Sequence, residues 1–360
     1  MTEVAAVGAA PPERAQPVLA ALTPADVGSV PPEVVERIRS ARRVMTICHR
    51  DPEADALGSA LGVAFLVEAL GGSATPVCAD VVPEMYDFLP GMERFRQGPE
   101  PGIDYDLIVV GDCGDLARVG EVAVEHASLF ARVPIVNIDH HKSNVGFGAV
   151  DWVDAAASAT CEQVTLLVAA LGVPLNAADG ALAAALMAGV VIDTGNFQHP
   201  NVTARTLRVA AELRAAGAPL PDIARRLYRT KPNAQLRLFG SVLARLETDP
   251  GGRLVWSVLH QEDVTSAGAL PSHSEGLIDL ISQSESGQVS ILFKDLGDTT
   301  RISVRTREGG VDATELTGRF GGGGHARAAG ATIGMALDDA RATVLAEARR
   351  LIAALPDAGG

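Results

Sequence analysis

Short apolar runs that stop abruptly on charged residues recur four times along the chain. They are Val44 to Ile47 before CHRDPEAD, Leu107 to Val110 before GDCGD, Val133 to Ile138 before DHH, and Val190 to Ile192 before DTGNF. Runs that are continuous rather than alternating predict strands buried on both faces. Val44 to Cys48, Leu107 to Val110 and Val133 to Ile138 are such strands. The stretch Ala56 to Leu70 has helical periodicity and stops at Gly71-Gly72. A strand–helix–strand rhythm predicts a mostly parallel sheet with helices on both faces. Gly189 to Ile192 reads equally as a further strand or as a helix end.

From Ser158 to Glu247 the apolar period shifts to i, i+3, i+4, predicting a helix-rich region. DPGGR at 249–253 breaks it, and LVWSVLH, GLIDLIS and VSILFKDLGDTTRISVRTR then mix strands, a hairpin and a helix. The expected organisation is a loose extension over 1–28, a catalytic α/β domain over 29–230, a connecting helix over 231–248, and a smaller α+β domain over 249–360. A length of 360 residues fits two domains.

Composition narrows the function. A net charge of -14 argues against broad adhesion to nucleic acid or an anionic membrane, which needs a Lys/Arg surface. The most apolar stretch, Ala181 to Ile192, is too short to span a bilayer. The N-terminus lacks the basic and apolar segments of a signal peptide. Cys48, Cys78, Cys113 and Cys161 are widely spaced with no C-x-x-C pair, which fits a reducing cytoplasm.

In a parallel sheet the carboxyl ends of the strands lie along one edge, so the four polar clusters are expected to converge there. A lone Asp at a strand end is usually a helix cap or turn residue, and a lone His-His is usually surface or packing. Four such clusters at successive ends form a group of carboxylates that needs a compensating cation. Too few lysines and arginines are interleaved among the first three to supply it. A pair of divalent ions does: imidazole and carboxylate donors suit Mn2+ first, with Mg2+, Co2+ or Zn2+ as alternatives. Two ions can bridge a hydroxide and clamp a phosphoryl oxygen.

NIDHHKSN resembles the namesake motif of the DHH phosphoesterase superfamily, and CHRDPEADALGS resembles its first motif. VVGDCGD resembles the second and GVVIDTGNF the fourth, while GRFGGGGHARAAG resembles the signature of the DHH-associated C-terminal domain. The resemblance implies one metal held by His49, Glu53 and Asp112 and a second by Asp55, His140 and Asp193, with Asp112 bridging. It implies His141 facing the substrate phosphate and Asp139 behind the histidine pair, orienting it. Glu53 stands where the family has Asp, one methylene longer.

Four consecutive glycines at 321–324 offer backbone amides for an anion cradle, and Gly322, Gly323, Gly324 and His325 are the expected substrate contacts there. Alternation puts Arg301, Ser303, Arg305 and Arg307 on one strand face. Arg307 reads as solvated, whereas SVR resembles the segment that sets an arginine on the substrate, which makes Arg305 the expected anchor. Arg118 either reaches the site from the second cluster or caps a helix end, His199 reads as structural or exposed, and the two tryptophans, Trp152 and Trp256, read as packing.

The motif set resembles the branch of the superfamily that cleaves very short RNA and dephosphorylates pAp. It implies hydrolysis of short oligoribonucleotides or linear dinucleotides such as pApA, with cyclic dinucleotides as further substrates. The alternatives are a family II type inorganic pyrophosphatase, disfavoured by the GGGGH signature, and a nucleotide-binding sensor in which Glu53 spoils the first metal. Long duplexes and membranes are not expected partners. A homodimer through the helical region would match the resemblance.

Overall fold

The computed structural model describes residues 21–355, and the chain divides into two units, Met1–Thr230 and Lys231–Gly360. The first unit is built on strands β1 (Arg43–Ile47), β2 (Ser73–Val77), β3 (Leu107–Gly111), β4 (Ile135–Asp139) and β5 (Val150–Val153). All are parallel, in the order β2-β1-β3-β4-β5. The expected α/β class is therefore the observed one. The expected strands are β1, β3 and β4; β2 and β5 were not anticipated, because SATPV and VDWV are short and interrupted by polar residues or proline.

Helices α1 (Pro24–Val27), α2 (Pro32–Ser40), α3 (Ala54–Ala69), α4 (Glu121–Glu125) and α5 (Ala127–Arg132) come first. They are followed by α6 (Thr160–Ala170), α7 (Ala181–Asp193), α8 (Ala204–Ala215) and α9 (Leu220–Arg229). Alternate strand residues serve two cores. Val44, Val109 and Ile138 pack with α3, α6 and α7, while Met45, Ile47, Ile108 and Val110 pack on the other face with Val122 and Phe130. That two-sided burial is why the strands read as unbroken apolar runs.

Two expectations change. Val190 to Ile192 is the end of α7, so Asp193 closes a helix and not a strand. A helix buried on every side carries no apolar stripe, which removes the periodicity that separates it from a buried strand. Residues 1–20 lie outside the described residues, but 21–28 are not loose: Asp26 is buried and accepts from Arg208 at 2.7 and 2.8 Å.

The second unit holds β6 (Glu247–Thr248), β7 (Leu254–Leu259), β8 (Val289–Asp295), β9 (Thr300–Thr306), β10 (Gly323–His325) and β11 (Ala328–Ile333). Their order is β10-β11-β9-β8-β7-β6, antiparallel except for β7 beside β8. Its helices are α10 (Asn233–Leu243), α11 (Gln261–Ala267), α12 (Leu277–Ile281), α13 (Ala313–Gly318) and α14 (Leu337–Ala353). Ile291, Phe293, Ile302 and Val304 face α13 and α14, whereas Val255 and Leu292 face α10 and α12. The segment expected as a connecting helix thus contributes Leu238, Phe239 and Val242 to this unit's own core. Trp256 is core packing. Among the described residues no helix is long and apolar enough to cross a membrane.

Candidate metal centre

In the order β2-β1-β3 the connections leave β1 and β3 in opposite directions, which opens a crevice beyond their carboxyl ends. His49 follows β1 and Asp112 follows β3, on opposite sides of that crevice. Asp112 adopts a left-handed backbone (φ 55°), a conformation that costs energy in a non-glycine residue and concentrates at functional sites.

Three groups of side chains converge closely enough to hold ions: His49, Glu53 and Asp112; Asp55, His140 and Asp193; and Asp112, His140 and His141. His49 Nε2 lies 3.3 Å from Glu53 Oε2 and 3.5 Å from Asp112 Oδ2. Its Nδ1 is 2.7 Å from the Arg50 carbonyl, so the Nδ1-H tautomer leaves Nε2 free to bind a cation. His140 Nε2 lies 3.1 Å from Asp193 Oδ2 and 3.5 Å from Asp112 Oδ1, yet it is buried without a hydrogen bond. Donor atoms gathered within 4.8 Å of one another, one of them left without a hydrogen bond, are what a coordinated ion requires.

The electrostatics point the same way. Burial, Asp193 and Asp112 push the Asp55 carboxyl well above its usual range, and burial likewise raises Asp193. Burial alone would lower the histidines, but Asp112 and its neighbours outweigh it and lift His49 to about 10 and His140 to about 11. The same contacts outweigh burial at Asp112 and keep it ionised. Among the described residues no Arg or Lys lies within ion-pairing distance of Glu53, Asp55, Asp112 or Asp193. The donors therefore fit divalent cations.

Asp139 holds one histidine rather than the pair. Its Oδ1 accepts from His141 Nδ1 at 2.7 Å and its Oδ2 from Asn144 at 2.6 Å, whereas His140 Nδ1 faces the Ala157 carbonyl at 3.4 Å. Burial raises Asp139, but His141 and Asn144 outweigh it and lower its pKa. The His141 ring remains over a third exposed, with a pKa raised chiefly by Asp139. Glu53 serves two ends: Oε1 accepts from Ala56 N at 3.1 Å and caps α3, leaving Oε2 toward His49.

Sequence reasoning missed the start of α6. Asp55 accepts the Thr160 and Cys161 amides at 2.7 and 2.8 Å, and Thr160 Oγ1 donates to Asp112 Oδ1 at 3.1 Å. Behind them, fully buried Glu162 accepts from Ser158 Oγ at 2.7 Å, Thr206 Oγ1 at 2.8 Å and Arg205 Nε at 2.5 Å. The available signal was a glutamate inside an apolar helix, which demands partners. Those partners lie up to 44 positions away. His199 Nδ1 and Asn201 Nδ2 face the Asp193 carbonyl at 3.2 and 3.1 Å, so His199 is structural here. Arg118 sits in a short turn whose carbonyl accepts from Arg50 N at 2.9 Å.

In the second unit, strand register aligns the expected substrate residues. His325, Ala328, Arg305 and Ser290 form one row across four strands; Gly323, Gly330, Ser303 and Leu292 form the next. Arg305 Nε donates to Asp279 at 2.9 Å. Arg307 lies beyond β9, its guanidinium on the Glu285 carbonyl at 2.9 Å. Two of the four glycine amides already have acceptors. Those of Gly321 and Gly322 donate to Gly318 and Thr317 and close α13. Gly324 is required by close approach instead, since a Cβ there would meet the Ala328 carbonyl oxygen at 2.5 Å.

A doubly wound sheet with paired imidazole and carboxylate groups at its crevice is the frame of a metal-dependent hydrolase, and its family makes the bond a phosphoester. The chain belongs to the DHH family: residues 43–190 match the DHH family N-terminal domain and residues 254–354 the DHHA1 domain. It is 36% identical over 318 residues to the bifunctional oligoribonuclease and PAP phosphatase NrnA of Thermus thermophilus, covering 88% of this chain and 92% of that protein. The Bacillus subtilis protein of the same name is 26% identical, with 84% and 92% covered. The cyclic-di-AMP phosphodiesterase GdpP of Geobacillus thermodenitrificans is 26% identical over 81% of this chain and 44% of its own. Among solved structures, an exopolyphosphatase-related protein from Bacteroides fragilis shares the fold, with a TM-score of 0.78 at 21% identity over 91% of this chain and 96% of its own.

Proposed function

We propose that this chain hydrolyses very short RNA and linear dinucleotides such as pApA to mononucleotides and removes the 3′-phosphate of pAp. Two divalent cations serve the reaction, with Mn2+ the preferred ion. The observation that carries the reading is the position of Asp112 between the His49–Glu53 group and the His140–Asp193 group. The names of the Thermus and Bacillus relatives supply the substrate class. When bound, the ions neutralise the phosphoryl oxygens and activate water for in-line attack.

The chain's own residues hold and orient. His49, Glu53 and Asp112 would hold one ion and Asp55, His140 and Asp193 the other, with Asp112 within reach of both groups. Asp139 fixes His141 through Nδ1, so that the opposite edge of its ring can donate to the substrate phosphate. Arg305 and His325, on one sheet row, hold a second substrate group. A net charge of -14 disfavours long nucleic acid, and four unpaired cysteines fit a reducing cytoplasm. Cyclic dinucleotides enter as further substrates to test, by the name of the Geobacillus relative.

The test is AMP release from pApA and pAp with Mn2+, comparing wild type with the His140→Ala/His141→Ala double variant. The double variant is expected to lose about 10^3-fold or more of the rate. An inactive wild type that still binds nucleotide tightly would replace this reading with that of a sensor.

A further inference from the structure

Asp193 is the last residue of α7, where the carbonyls of the final turn have no partner within the helix and the negative end of the helix dipole meets a carboxylate. Those carbonyls are nonetheless all taken. Val190 O accepts from Thr194 Oγ1 at 2.6 Å and Val191 O from Asn196 N at 2.8 Å. Ile192 O accepts from Gly195 N and Tyr228 Oη, both at 3.1 Å. Among the described residues, Asp193 O is reached by side chains alone, His199 Nδ1 at 3.2 Å and Asn201 Nδ2 at 3.1 Å. To bring them back, the chain turns through three consecutive left-handed residues, Gly195 (φ 54°), Asn196 (φ 60°) and Phe197 (φ 63°). Such a run costs energy at its two non-glycine positions and persists only where neighbours fix it. Fully buried Thr194 does so, its hydroxyl accepting from Phe197 N at 3.0 Å.

Asn201 does more than cap the helix. Its amide also donates to the Ser158 carbonyl at 3.1 Å. Ser158 is fully buried, its hydroxyl donates to Glu162, and it lies two residues before Thr160, whose amide holds Asp55. One NH2 group therefore joins the turn that holds Asp55 to the turn that ends in Asp193. Gly189, where α7 meets Asp55 through the main chain, lies a full helical turn earlier, so the helix contact there does not by itself fix Asp193. We propose that Asn201 is a positioning residue for the seat formed by Asp55, His140 and Asp193, setting the separation of its two carboxylates. The inference rests on the reading of this chain as a two-metal hydrolase. The Asn201 side chain is exposed and bonds to neither carboxylate, so it acts through the main chain.

Calorimetric titration of the metal-free full chain with Mn2+ tests this. Asn201→Leu keeps the shape of the side chain and removes both donors. It is introduced into wild type, into His49→Ala, which leaves the Asp55–His140–Asp193 seat, and into Asp193→Ala, which leaves the His49–Glu53 seat. Asn201→Leu is expected to weaken Mn2+ binding about tenfold in the His49→Ala background and by less than about twofold in the Asp193→Ala background. In wild type one of the two binding steps should weaken about tenfold and the other stay put, which keeps the test decisive if a single-seat variant fails to fold. Equal weakening of both seats, or of neither, overturns the proposal. The thermal midpoint of the metal-free protein should move no more than for a surface substitution, and a clear fall would mark a general structural role and overturn it as well. Wild type that binds fewer than two Mn2+ defeats the functional reading. Wild type that binds two, with both steps answering alike to Asn201→Leu, defeats the positioning role alone.

Discussion

The carboxylates around Asp112 and the cations around Arg305 are supported in opposite ways. Asp55 and Asp139 are fully buried, and every contact that fixes them comes from backbone amides or from side chains that are themselves held. Arg305 is partly exposed and leans on one carboxylate, Asp279, that is 55% exposed. Donors that must meet an ion within tenths of an ångström need a rigid frame, whereas a phosphate anchor tolerates adjustment. On the proposed function the two units divide these tasks.

The sharpest way to break that contrast is Glu162→Ala, which takes from half-buried Arg205 one of its two carboxylates, leaving Asp154, and strips the Ser158 and Thr206 hydroxyls of their acceptor behind the metal centre. It should cost about 2 to 4 kcal/mol in urea denaturation. A loss no larger than that of a surface substitution would refute the rigid frame.

A mid-sized effect is expected from pH in the metal-free protein. His49 and His140 have folded pKa values raised to about 10 and about 11 from 6.5, so their contribution is fully present below the unfolded value. It declines as pH rises through the folded values. The urea midpoint in EDTA should accordingly fall between pH 7 and pH 10, and a flat profile would contradict the carboxylate partners assigned to them.

The smallest effect belongs to Asp279→Ala. An exposed ion pair is worth at most about 1 kcal/mol, so stability should barely change and binding of pApA should be equal or tighter. Destabilisation comparable to that of Glu162→Ala would erase the distinction between the units.

What could be read from the chain follows from range. His49, Glu53, Asp55, Asp112, Asp139, His140, His141 and Asp193 each lie in a short motif, next to the apolar run that positions them. The parallel sheet was legible because its strands serve two cores. Asp193 was placed on an ambiguous element because α7 is buried on all sides and shows no stripe. Thr160 and Glu162 stayed hidden because their partners Asp55, Asp112 and Arg205 are between 43 and 105 residues distant. The acceptors of the Gly321 and Gly322 amides were not legible because composition reveals conformational freedom, not whether an N–H already has an acceptor.

Helices α3 and α7 touch backbone to backbone. A Cβ on Gly58 would meet the Ala185 carbonyl oxygen at 2.5 Å, and one on Gly189 would meet Asp55 Oδ1 at the same distance. Asp55 and Asp193 ride on these two helices, so the gap between them is gauged by main chain and cannot be retuned by swapping rotamers. His49 and Glu53 come from a loop and a helix cap instead, with room to follow an ion of different radius. On the proposed ligand sets, selectivity for ion size would therefore be unequal across the centre: the Asp55–Asp193 seat would act as a fixed caliper and the His49–Glu53 seat as an adjustable one.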